Sequence, residues 1–131
     1  MKILRTCLLA LVGAIVFDGV VFVESAAAQP AFFFNTHKTR LPHDHCMRDA
    51  KRTVRAVGLK AGAELAFGIG GTTSTVNAFI VCTRLPGAGP CPRTDGAVVT
   101  FISTSFPGPD AKAMLDKMVS TFGDGVLFDC G

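Results

Sequence analysis

The chain predicts an α+β fold in the order helix, strand, strand, strand, helix. An antiparallel sheet would carry both helices on one face, with disulfides stapling the domain. Three observations predict it. Two segments repeat apolar residues at spacings of three and four, as a helix with one buried stripe does. Between them lie three stretches rich in β-branched and aromatic residues, set apart by Gly and Pro. Hairpin-length connections make the sheet antiparallel and leave both amphipathic helices for one face.

Residues 1–28 stand outside that domain. Met1-Lys2-Ile3-Leu4-Arg5 is basic, Cys7 to Phe17 is apolar, and Ser25-Ala26-Ala27-Ala28 supplies small residues ahead of Gln29. This is the layout of a secretory signal peptide cleaved after Ala28. A membrane-spanning helix needs about 20 continuous apolar residues, and Asp18 interrupts the run before that. Export would place the mature chain in the periplasm or outside the cell. It would have the length of one domain. Lys2, Arg5, Asp18 and Glu24 leave with the signal, so the formal net charge stays at +3, too weak a bias to imply a nucleic-acid partner. Cys7 leaves too. Cys46, Cys82, Cys91 and Cys130 remain, and an even count in a small exported chain reads as two disulfides. A local Cys82–Cys91 bridge with a long Cys46–Cys130 link is the favoured pairing, although the tail could equally return to Cys82.

Residues 29–43 read as an N-terminal arm, because QPAFFFNTHKTRL keeps neither period. Its Phe32-Phe33-Phe34 run either docks on the protein's own core or forms a sticky segment for a partner. The domain proper spans 44–131. Its first helix covers Asp44–Val57, with Asp44 as N-cap, an apolar stripe through Met47, Ala50, Val54 and Val57, and Gly58 as the left-handed stop. Strands follow at Glu64–Ile69 and Ser74–Thr83, joined by a loop centred on Gly68-Ile69-Gly70-Gly71. Arg84–Gly96, rich in Pro and Gly, is loop, and Ala97–Ser105 is the third strand. Pro109 opens the second helix, whose stripe runs through Ala111, Met114, Leu115, Met118, Val119 and Phe122 until Gly123 stops it. Val126-Leu127-Phe128 reads as a short edge strand.

The segments "CMRDAKRTVRAVGL" and "AFIVC" carry a resemblance over roughly Cys46 to Phe122. In them the chain resembles small exported bacterial proteins of uncharacterised function. Those have one cysteine near the start of the first helix and another closing the middle strand. The resemblance implies the helix–three-strand–helix pattern and no activity. Cys91 and Cys130 depart from the two-cysteine pattern.

Two groups of residues stand out as candidate sites. His43-Asp44-His45-Cys46, with His37 from the arm, offers imidazole, carboxylate and thiolate ligands to zinc or copper. Against this, His43 and His45 diverge at a helix start, Asp44 caps, and Cys46 in an oxidising compartment belongs in a disulfide. Arg48, Lys51, Arg52 and Arg55 form a basic stripe that either meets an anionic partner or is a solvated helix face, with Asp49 breaking its sign. The Gly68–Gly71 stretch lacks the lysine and following helix of a phosphate cradle. No nucleophile–base arrangement or carboxylate pair stands out, and Trp and Tyr are absent. The sequence therefore points to an exported, non-enzymatic binding domain without a cofactor. Its partner would be a protein, an envelope component or a small ligand. Metal binding through His37, His43 and His45 is the first alternative, and an enzyme whose site the sequence hides is the second.

Overall fold

Chain order in the computed structural model, which describes residues 30–106, 108–123 and 130, begins with a strand instead of a helix. The elements are β1 (Ala31–Thr39), α1 (His43–Ala56), β2 (Lys60–Leu65), β3 (Gly68–Thr72), β4 (Val76–Leu85), β5 (Gly96–Ser105) and α2 (Gly108–Phe122). The five strands form one sheet in the order β1-β5-β4-β3-β2, and every neighbouring pair is antiparallel. The α+β class and the antiparallel sheet thus hold, and the strand count and order need correction. The segment read as an arm is β1, paired with β5 from Ala31↔Ser105 to Thr39↔Ala97. The glycine-rich stretch read as a loop is β3.

The core forms between the helices and one face of the sheet. Along β4, Val76, Ala78, Ile80 and Cys82 are buried, and along β5 so are Ala97, Val99, Phe101, Ser103 and Ser105. This alternation aims every second side chain at the helices. Cys46, Ala50 and Val54 of α1 meet them, together with Leu115, Met118 and Phe122 of α2. Phe101 and Phe122 stack edge to face at 5.3 Å, the favoured geometry for two aromatic quadrupoles.

Helix α1 starts differently from the sequence reading. Pro42 is its N-cap, at φ −55° and ψ 152°, and its carbonyl accepts the Cys46 N–H at 2.9 Å. Proline needs no N–H there and its φ is already set. Asp44 is therefore not the cap. It sits in the first turn, where its carboxylate still complements the positive end of the helix. The other end is as expected. Gly58 takes φ +85°, its N–H bonds Arg55 O, and the Leu59 N–H bonds Val54 O. These two bonds make a Schellman motif, with buried Leu59 and Val54 as its apolar contact. Helix α2 ends at Gly123, again left-handed at φ +74°.

The glycines of β3 have packing reasons. Gly70 pairs with Phe79, and a Cβ on Gly70 would lie 2.7 Å from Phe79 Cδ2. A Cβ on Gly68 would meet the same ring at 2.6 Å, so Phe79 lies flat across both residues. On the other face, a Cβ on Gly71 would sit 2.8 Å from Leu59 Cβ, so bare backbone lets the end of α1 approach the sheet.

The disulfides join Cys46 to Cys82 and Cys91 to Cys130, with Cα separations of 6.0 and 5.6 Å. This overturns the Cys82–Cys91 and Cys46–Cys130 assignment. Cys82 falls in the inward register of β4, directly beneath the first turn of α1, and both sulfurs are buried. Cys91 belongs to the loop beyond the strand and ties down the tail. The edge strand expected at Val126–Phe128 lies outside the described residues.

Candidate functional site

The histidines that offered the alternative of a metal site are spread over two elements of the fold. His37 lies on the helix-facing side of β1, opposite Val99, with its ring 5.4 Å from Phe101 and 6.3 Å from Phe122. It is a packing residue of the core rim. His43 opens α1, where its Nδ1 lies 3.5 Å from Asp44 Oδ1, and His45 sits two residues on. Cys46 is taken up by its disulfide. Among the described residues, no three His, Cys, Asp or Glu side chains converge as a metal site would require.

The basic stripe does form one surface. Arg48, Lys51, Arg52 and Arg55, with Ala56, line a shallow groove along the outer side of α1. Two of the four charges are already paired. Lys51 Nζ reaches Glu64 Oε1 at 2.5 Å and ties the helix to β2, while Arg52 meets Asp49 at 3.1 Å. Much of the stripe is therefore structural or locally neutralised. A second basic cleft escaped the sequence reading. Lys38 and Arg40 at the end of β1 face Arg93 across the loop held by Cys91, and Arg93 adopts a left-handed φ of +64°. Only the β1–β5 pairing brings these residues together, so no linear motif marks them.

The sheet face that carries no helix among the described residues departs from an ordinary surface. Strand register places Phe34, Ile102, Phe79 and Gly70 in one row across β1, β5, β4 and β3. The next row holds Thr36, Thr100, Val81, Gly68 and Leu65. The Thr36 and Thr100 hydroxyls bond each other at 3.0 Å, so this row spends part of its polarity internally. Phe32 and Phe34 stand 57% and 66% exposed, and Leu65 is 44% exposed. Lys38 and Lys60 are the charged residues in the paired rows of this face, and both lie at its margin. A helix-free antiparallel face normally alternates to polar residues. This one is apolar across its middle.

Sequence reasoning found the Phe32–Phe34 run and missed its neighbours. Phe33 points inward and packs against the core, whereas Phe32 and Phe34 point out. The run thus does both things the sequence allowed, on alternate residues. Phe79 and Ile102 come from segments far apart in the chain and join only through the sheet. No helix among the described residues is long and apolar enough to cross a membrane. Compared with known proteins, the chain matches no family model, no curated protein and no solved structure.

Proposed function

We propose that this is an exported, non-enzymatic interaction domain that binds through the open face of its sheet. The observation that carries the reading is the exposure of Phe32 and Phe34 beside Phe79 and Ile102 on the face that no helix among the described residues covers. Contiguous exposed apolar surface is rare on monomeric proteins and marks contact sites. Export is supported by the signal-like residues 1–28 and by two disulfides, which persist in oxidising compartments. The same traits support kinship with the small exported bacterial proteins that the sequence resembles.

The test is a photo-reactive phenylalanine analogue placed at Phe34, or at Lys112 on α2 as control, in the exported protein. A discrete adduct from position 34 and none from position 112 is expected. Adducts from 112 alone would sink the reading.

A further inference from the structure

We infer that the occupant of the open face is a second copy of this chain, packed sheet on sheet about a two-fold axis that runs along the strands. This rests on the reading of that face as the contact surface and names its partner.

The shape of the face fits a second copy. With the strand order β1-β5-β4-β3-β2, a two-fold axis in the interface and parallel to the strands places β1 over the partner's β2. It places β5 over the partner's β3, and β4 over β4. The two edges of the face are complementary. β1 presents the protruding rings of Phe32 and Phe34. β2 and β3 present Gly62, Gly68 and Gly70, with Phe79 lying flat over the last two and with Lys60 and Leu65 in the rows on either side. In the row of Phe34 the ring of each copy therefore meets the glycine edge of the other, as a self-complementary interface requires, while Phe32 meets the stem of Lys60 and Thr36 meets Leu65. An axis across the strands would instead set β1 on β1, bringing the two Phe-bearing edges together and holding the glycine side open.

The charges of the face fit the same axis. Lys38 and Lys60 occupy opposite ends of the face, Lys60 in the row of Phe32 and Lys38 three rows away. The axis along the strands keeps each in its own row, so no like charges are opposed. The basic groove of α1 lies on the other layer and stays in solvent.

The area of the face sets the strength of the contact. Five strands at about 4.8 Å spacing and about seven residues each give a face of roughly 550 Å². Two such faces bury on the order of 1,100 Å², just past the size at which specific interfaces begin and below the standard one. An interface of that size belongs to the weak, reversible class.

Sedimentation equilibrium of the oxidised protein, from micromolar to submillimolar, tests this. The expected result is a monomer–dimer equilibrium that Phe34→Glu and Ile102→Glu each weaken tenfold or more, while Arg52→Glu on α1 leaves it unchanged. Phe34→Ser serves if the Glu variants do not melt cooperatively. A protein that stays monomeric throughout, or a dimer indifferent to both face variants, overturns the proposal. So does a monomer that loads onto phosphatidylcholine vesicles through Phe34, which would assign the face to a membrane. A photo-adduct from position 34 to a different protein, without a chain–chain adduct, removes the dimer and leaves the interaction reading standing. Absence of any adduct removes both.

Discussion

Thr53 of α1 and Ser103 of β5 are fully buried, and neither hydroxyl has a hydrogen-bond partner. A buried hydroxyl left unsatisfied costs about 1–3 kcal/mol, whereas an apolar group of the same shape does not. Thr53→Val keeps the shape and removes the hydroxyl, so stability should rise by about 1 kcal/mol. In a domain of this size that is a melting shift of roughly 4–8 °C by calorimetry. No rise would mean the site is already satisfied by water. Gly70 gives a prediction of opposite sign. Its missing Cβ is the space that Phe79 fills, so Gly70→Ala should cost about 1–3 kcal/mol through overpacking. The added methyl meets only side chain at its two nearest contacts, Phe79 Cδ2 at 2.7 Å and Cε2 at 3.1 Å. In a Phe79→Ala background the penalty should therefore shrink markedly. A double-mutant cycle by urea unfolding measures this coupling, and additive effects would refute the packing account.

The two disulfides differ at the level of elements. Each closes a loop of similar length, with sequence separations of 36 and 39. In the chain-entropy model each contributes about 4 kcal/mol. Their access to solvent separates them. Cys46 and Cys82 are buried between α1 and β4, while Cys130 is exposed and Cys91 half-buried. Mild reduction followed by alkylation should label Cys91 and Cys130 first, with Cys46 and Cys82 labelled only on unfolding, as peptide masses will report. Helix α2 makes a second test. Leu115 is buried in the core, and Leu115→Asp would strand an unpaired carboxylate at a cost of several kcal/mol, enough to abolish cooperative melting. Met114 shares the periodic stripe but lies half-buried at its rim, so Met114→Asp keeps its carboxylate near water and should still melt cooperatively. Periodicity placed both residues on one stripe and could not tell its centre from its rim. The helices and the inner faces of β4 and β5 were legible because burial on one side leaves a period. β1 was not legible, since Phe32 and Phe34 make its outer face as apolar as Phe33 makes its inner one. The residues that make the candidate site sticky therefore erase the alternation that would reveal the strand. β3 was hidden by its glycines, which local propensity assigns to turns and which are required by residues outside the strand, Phe79 against Gly68 and Gly70 and Leu59 against Gly71. β2 is exposed along its whole length and carries no pattern.

At the scale of the whole molecule, stability depends on a strand that lies outside the domain boundary drawn from sequence. A domain of 44–131 omits β1. The fold needs it for three reasons. Its nine residues pair with nine of the ten in β5, so without it the backbone groups on that edge of β5 lose their partners. Phe33 packs on the core and His37 lies against Phe101 and Phe122, so its removal opens the space beneath α2. Leu41, in the turn from β1 to α1, is itself among the largest fully buried side chains. In a domain this small, net stability is a few kcal/mol, and losing an edge strand with three core contacts exceeds it. A chain that starts at Asp44 should therefore remain unfolded even with both disulfides formed. A chain that starts at Gln29 should fold. Circular dichroism and thermal melting of the two purified chains decide between the boundaries. A cooperative melt from the shorter one would return β1 to the status of an accessory arm, free to leave the sheet and carry Phe32 and Phe34 to a partner.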